Sequence, residues 1–216
     1  NGKFTVTGIK LIDEKTRSIY FTARGLENSA RGDFYVVNFD GKNLKRLSIG
    51  DYNYAQVYLS PNAKRFVSVY SNVNTPSTIA LVDRKDKNPI VTVLGTSVDS
   101  SFKAENFAKT ELIRIKSADG LFELPALVTW PKNMDPNKKY PVLTYVYGGP
   151  HAQMIANRWL LSAPLWMYYF AEQGNLVFTL DNRGSGNRGF DFENVIHRQL
   201  GEPEIRDQLV GVEYLK

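Results

Sequence analysis

Residues 140–151 read Tyr140-Pro141-Val142-Leu143-Thr144-Tyr145-Val146-Tyr147-Gly148-Gly149-Pro150-His151. The first eight are apolar on alternate and intervening positions alike, the pattern of a strand covered by helices on both faces of a mostly parallel sheet. A second run of the same kind, Leu176-Val177-Phe178-Thr179-Leu180, lies downstream. Between the two, residues 161–173 read as a helix, and Gly174 supplies its stop. Residues 192–200 and 204–215 read as two more helices, set around Gly201 and Pro203. Alternating strands and helices are the grammar of an α/β domain. Just upstream, residues 110–116 and 121–130 flank Asp119-Gly120, a hairpin signal, and Pro125 moves the second of these strands toward an edge position.

Residues 3–94 obey a different period. They form short strands broken by polar turns, with no helix signal. A unit occurs twice: Ile19-Tyr20-Phe21-Thr22-Ala23, then residues 34–40, then Leu44-Lys45-Arg46-Leu47; and again Phe66-Val67-Ser68-Val69-Tyr70, then residues 78–83, then Ile90-Val91-Thr92-Val93-Leu94. Turn formers precede both copies, at residues 12–15 and 59–64. The spacing matches one β-propeller blade, about 40 to 50 residues. Two blades cannot close a ring that takes roughly four to eight, so further blades are expected upstream. A small Greek-key sandwich is the alternative. The polar, Ser-rich stretch after Gly95 marks a boundary. The expected division is 1–95 for the C-terminal blades of a β-propeller, 96–109 for a linker and 110–216 for the α/β part.

With 43% hydrophobic and 23% charged residues, the 216-residue chain is a folded globular protein rather than a disordered one. The net charge of +5 resides in residues 1–100, which hold 14 basic against 9 acidic side chains. Its longest basic run is a pair, as at Lys45-Arg46, which reads as a solvated face and not as a nucleic-acid footprint. The absence of cysteine excludes disulfides, thiolate nucleophiles and zinc-thiolate sites. No segment approaches the roughly 18 unbroken apolar residues of a membrane span, and Asn1-Gly2-Lys3 is no signal peptide.

Three features could carry chemistry. Tyr145 and Tyr147 share a face at the carboxyl end of a strand, where open α/β sheets place ligand sites. The glycines after them allow a sharp turn and close backbone approach. The tyrosines read either as core residues or, for Tyr147, as a phenol donor to a bound carbonyl. Next, Asp181-Asn182-Arg183-Gly184-Ser185-Gly186-Asn187-Arg188-Gly189 contains a formal G-x-G-x-x-G. A dinucleotide site would need a second βαβ strand ending in an acidic residue about 20 positions on, where this chain reads as helix. The glycines therefore read as loop geometry. Finally, His151 and His197 lack metal-site spacing and read as structural. No G-x-S-x-G nucleophile elbow exists, since Arg183 stands where its first glycine must.

Taken together, Tyr147-Gly148-Gly149-Pro150-His151-Ala152-Gln153, residues 181–189, His197-Arg198-Gln199-Leu200-Gly201 and Asp207-Gln208 strongly resemble the dipeptidyl peptidase IV family, bacterial members above all. Gly2-Lys3-Phe4-Thr5-Val6-Thr7-Gly8 and the blade repeats are similar to the last propeller strands of those enzymes. The resemblance implies the end of a β-propeller, about two blades, followed by the N-terminal half of an α/β-hydrolase domain. It implies a serine peptidase that releases X-Pro or X-Ala dipeptides from peptide N-termini through an acyl-enzyme, without metal or cofactor. In that family the tyrosine before the Gly-Pro turn donates to the oxyanion, which points to Tyr147. The serine, aspartate and histidine of the triad are expected after Lys216 and the paired glutamates that hold the substrate amino terminus before Asn1, so the 216 residues alone are expected to be inactive. Homodimers, peptide partners with penultimate Pro or Ala, and a periplasmic or cell-surface location are further implications. The alternatives are a non-catalytic binding scaffold of the same architecture, and a related oligopeptidase or acylaminoacyl peptidase.

Overall fold

The computed structural model describes residues 4–25, 27–85, 88–160 and 165–216. The chain divides into two compact units.

One unit comprises Phe4–Phe102 together with Asn157–Trp159. It contains two four-stranded antiparallel meanders. The first is β1 (Thr5–Asp13), β2 (Ser18–Arg24), β3 (Gly32–Asn38) and β4 (Lys45–Arg46); the second is β5 (Asn53–Leu59), β6 (Arg65–Asn72), β7 (Thr75–Asp83) and β8 (Ile90–Thr96). Each is a propeller blade. The turns leading into β2 and β6 use short polar side chains to hold backbone amides. Asp13 Oδ1 accepts from the Lys15 amide at 3.0 Å, and Asn62 Oδ1 accepts from the Lys64 amide at 3.1 Å. The sequence repeat shows three strands per unit, but each blade has a fourth, leading strand. In the second blade this is β5, whose buried Tyr54 and Val57 are separated by exposed residues.

Tyr20, Phe34, Tyr54, Val57, Phe66 and Val82 build one core from strands of both blades, with the Phe34 and Phe66 rings meeting edge to face at 5.2 Å. Beside it lies a buried carboxylate, Asp33. Arg31 Nε and Arg46 Nε each donate to it at 2.8 Å, Ser48 Oγ donates at 2.5 Å, and the Tyr35 hydroxyl donates at 3.4 Å. Burial raises the Tyr35 phenol well above its ordinary pKa.

The other unit contains residues 103–156, 160 and 165–216 among those described. Its sheet comprises β9 (Thr110–Lys116), β10 (Glu123–Thr129), β11 (Val142–Thr144) and β12 (Leu176–Leu180), in the order β11-β12-β10-β9. β10 is antiparallel to both neighbours, whereas β11 and β12 are parallel. Three helices accompany it: α1 (Leu165–Glu172), α2 (Phe190–Glu193) and α3 (Glu202–Tyr214). This is the opening portion of an α/β-hydrolase sheet. Leu124, Ala126, Val128, Phe178, Leu180 and Phe192 form its core. At Gly211 the helix α3 comes so close to the sheet that an added Cβ would lie 2.8 Å from the Phe178 ring.

Several expectations need correction. Pro125 does not stand on an edge strand, because β10 lies between β9 and β12. Pro125 is tolerated there because the β10–β12 pairing begins only at Ala126, and its carbonyl accepts the Asp181 amide just past the end of β12. The strand expected over residues 140–147 is regular only over Val142–Thr144. Among the described residues Val142 is 46% exposed and β12 is the single sheet neighbour of β11. The first four positions of the helix expected at 161–173 lie outside the described residues. The helix expected over 192–200 shrinks to α2 and a 3-10 turn at Asn194–Ile196. Rather than preceding the helix, Pro203 lies inside the first turn of α3, where its missing N–H costs no hydrogen bond.

Asp33 is the buried acid of a cluster in which Arg31 also pairs with Glu27 and Asp51, and Arg46 with Glu27. Asp33→Ala is expected to destabilise the propeller unit by about 3–5 kcal/mol, the range for removing one partner of a buried ion pair. Chemical unfolding of the full-length variant measures this. A loss no larger than the roughly 1 kcal/mol of an exposed pair would show the cluster to be dispensable.

Candidate active site

β11 delivers Tyr147 to the carboxyl end of the sheet. The ladder to β12 makes its last bond there, from the Tyr145 amide to the Phe178 carbonyl at 2.8 Å, and the chain then leaves the sheet. The Tyr145 ring packs edge to face on Trp166 at 5.3 Å. Tyr147 is 60% exposed among the described residues. Two glycines shape the turn after Tyr147. Gly148 has φ +74°, a conformation that favours glycine. A Cβ on Gly149 would lie 3.2 Å from Cε1 of the Tyr147 ring, so glycine lets the ring lie close against its own loop.

Beneath this loop runs a second one, residues 181–186, which is polar in sequence and yet entirely buried. Asn182, 1% exposed, is the link between them. Its Nδ2 donates to the Gly148 carbonyl at 3.1 Å and to the Arg183 carbonyl at 2.7 Å. Its Oδ1 accepts from Gln208 Nε2 at 2.9 Å, and the same nitrogen donates to the Leu180 carbonyl at 3.1 Å. The Gly186 amide donates to the Ala152 carbonyl at 2.9 Å, closing the contact from the other side.

Arg183 and Asp207 anchor the lower loop. The Asp207 carboxylate accepts from Arg183 N, Nε and Nη2, each at 2.9 Å, and from the Ala118 amide at 3.0 Å. Arg183 Nη1 also donates to Asp119. The Asp207 hydrogen bonds raise the pKa of this guanidinium above its ordinary value. Gly184, at φ +92°, has Ile196 within 2.6 Å of where a Cβ would be, so no larger residue fits. The glycines of the formal G-x-G-x-x-G therefore serve packing. Among the described residues no three His, Cys, Asp or Glu side chains gather as metal ligands, and His151 and His197 are both exposed.

Asp181 begins the loop at 3% exposure, its carboxylate accepting the Met154 amide at 2.8 Å and the Ile155 amide at 2.9 Å. Burial pushes its pKa up to about 6, against the lowering effect of those two bonds. None of this support is apparent from residue types alone. Its one sequence signal is a polar run, Asp181-Asn182-Arg183, directly after a fully apolar strand.

A raised carboxyl pKa makes the folded state bind the proton more tightly than the unfolded chain does. Stability from Asp181 is thus fully present below about pH 4 and is lost as the pH rises through about 6, on the order of 3 kcal/mol in all. Asp181→Asn removes this titration. The stability of wild type relative to the variant, measured by urea unfolding from pH 4 to 7, is expected to fall over that interval. A pH-independent difference would contradict the raised pKa.

Two family models match the chain: the dipeptidyl peptidase IV N-terminal region over residues 1–77, and the prolyl oligopeptidase family over residues 162–216. Tyr147 lies between the matched segments. Dipeptidyl peptidase 8 of Homo sapiens is 30% identical over 211 residues, covering 94% of this chain and 23% of that protein. Dipeptidyl peptidase 4 of Arthroderma otae is 32% identical over 214 residues, covering 96% of this chain and 27% of that protein. A crystal structure assigned as a dipeptidyl aminopeptidase IV from Bacteroides ovatus superimposes with a TM-score of 0.82 at 35% identity, over 99% of this chain and 30% of the other. The chain thus spans about a quarter of the length of these curated relatives. With both family models in chain order, and the same architecture in a solved relative, the chain belongs to the dipeptidyl peptidase IV family.

Proposed function

We propose that the protein containing these residues is a serine-type dipeptidyl peptidase, releasing X-Pro or X-Ala dipeptides from peptide N-termini through an acyl-enzyme, and that Tyr147 is an oxyanion donor. The observation that carries this is the placement of Tyr147: an exposed phenol at a strand end, on a loop whose Gly148 carbonyl is held by the buried Asn182 amide. Attack on a peptide carbonyl by a serine oxygen moves the carbonyl electron pair onto oxygen. A hydroxyl already held in place stabilises that charge as it develops, and stabilises the uncharged substrate less. The donor must be fixed beforehand, because reorienting it during the reaction would consume the gain. The bond from buried Asn182 to the Gly148 carbonyl, which holds the backbone turn after the tyrosine, supports this reading.

The triad serine, aspartate and histidine, and the glutamates for the substrate amino terminus, belong by family resemblance to parts of the protein outside these residues. The 216 residues alone carry no nucleophile elbow and are expected to be inactive. A homodimer in the periplasm or at the cell surface is part of the same proposal and rests on the resemblance.

In the full-length protein, Tyr147→Phe is expected to lower kcat by about 100- to 1000-fold, the cost of losing an oxyanion donor, with KM nearly unchanged. A kcat within about threefold of wild type, well short of that loss, removes Tyr147 from the mechanism. Full-length protein is also expected to release the chromophore from a Gly-Pro amide and to leave its N-acetylated counterpart intact. The opposite preference would point to an acylaminoacyl peptidase.

A further inference from the structure

The buried Arg31 of the propeller unit is answered by acids, whereas among the described residues Arg24 and Arg158, both partly buried, are not. Arg24 ends β2, facing Gly32 at the start of β3. Its Nη2 donates to Asn53 Oδ1 at 3.3 Å, and the Gly32 amide donates to the same oxygen at 2.8 Å. Two donors on one atom fix which end of the Asn53 amide is oxygen. The other end, Nδ2, is buried and has no hydrogen-bond partner, on a residue that is 0% exposed.

Arg158 reaches the same end of the blades. Its neighbours on both sides are tied down within this unit. The Asn157 amide donates to the Ala30 carbonyl at 2.7 Å and Asn157 Oδ1 accepts from the Val73 amide at 3.0 Å, while the Trp159 amide donates to Ser71 Oγ at 3.3 Å. Ser71 is the register partner of Asn53 on the adjacent strand. Arg158 Nε is buried and without a partner. Burial lowers the pKa of both guanidiniums, and the charge of Arg158 lowers that of Arg24 further. The acid that Arg24 senses, Asp33, is already occupied by Arg31, Arg46 and Ser48. Among the described residues neither Arg24 nor Arg158 forms a salt bridge.

This end of the unit therefore presents two guanidiniums and a buried amide N–H, all donors. Buried charges and buried donors persist when an acceptor answers them. Guanidinium forks match the two oxygens of a carboxylate or phosphate, where bonds to an ionised acceptor are strongest. We propose that Arg24, Asn53 Nδ2 and Arg158 form an oxyanion-binding site. In a protein that takes peptides, a reading that rests on the function proposed above, the ligand is a carboxylate of the peptide; inorganic phosphate presents the same chemistry.

Two arms test this on the full-length protein. In the first, sodium phosphate is titrated against sodium chloride at equal ionic strength, and the melting temperature is recorded. Phosphate is expected to raise it in wild type and not in Arg158→Gln. Asn53→Asp places a carboxylate oxygen where Nδ2 now points, so it is expected to raise the melting temperature without phosphate and to abolish the phosphate response. That gain would not come from a merely structural asparagine, and it keeps the proposal falsifiable should Arg158→Gln fail to fold. In the second arm, the peptide Glu-Glu replaces phosphate, and it is expected to bind about tenfold more tightly than Gln-Gln, as one charge-assisted bond provides. The difference should vanish in Arg158→Gln. A phosphate response without acidic-peptide preference supports the site and assigns it to free anion. No phosphate response together with equal binding of the two peptides overturns it. Failure of the full-length protein to cleave a Gly-Pro chromogenic amide would refute the proposed function, and the phosphate arm would still decide the site.

Discussion

The α/β unit depends on one buried ion pair. Asp207 lies on α3 with no exposed surface, and it accepts four hydrogen bonds from Arg183 and Ala118. Desolvating two charges costs more than their attraction returns unless their remaining hydrogen-bonding capacity is also satisfied. Here it is satisfied from two directions, the loop after β12 and the β9–β10 turn. The pair therefore fixes where α3 lies and, through the adjacent residue, where Asn182 points. With that amide aimed at the Gly148 carbonyl, the loop carrying Tyr147 has a rigid floor although its upper face is open to solvent.

The propeller unit uses charge in two ways. Around Asp33, two arginines, a serine and a tyrosine converge on one carboxylate, and Glu27 and Asp51 supply further acids to the same arginines. At the ends of β2, β5 and β6 a buried amide donor and two partly buried cations have no salt-bridge or acid hydrogen-bond partner among the described residues. A fold that neutralises one buried cluster so thoroughly makes the other more informative, because its polarity is uncompensated by the same rules.

Much of the architecture was legible in the sequence. The runs of residues 19–23, 66–70 and 78–83 read as strands, and their spacing favoured propeller blades over a small Greek-key sandwich. The apolar run of residues 176–180 required burial on both faces and obtained it. Other features failed for physical reasons. Pro125 was read by a general rule for edges, but what matters is which side its missing N–H faces, and that depends on where the β12 pairing stops. Tyr145 and Val146 have strand composition yet leave the sheet, because the ladder ends with the Tyr145 amide.

The sequence by itself determined the local preferences: where the backbone would be extended or helical, where glycine would allow a turn, and that Tyr147 stands at a strand end next to two glycines. Only the tertiary structure decided what supports that tyrosine. Asn182 meets Gly148 from 34 residues away, and Asp207 meets Ala118 from 89. Periodicity reports the environment of each residue along its own strand or helix, whereas a hydrogen bond between distant loops exists only once the sheet order β11-β12-β10-β9 has brought them together.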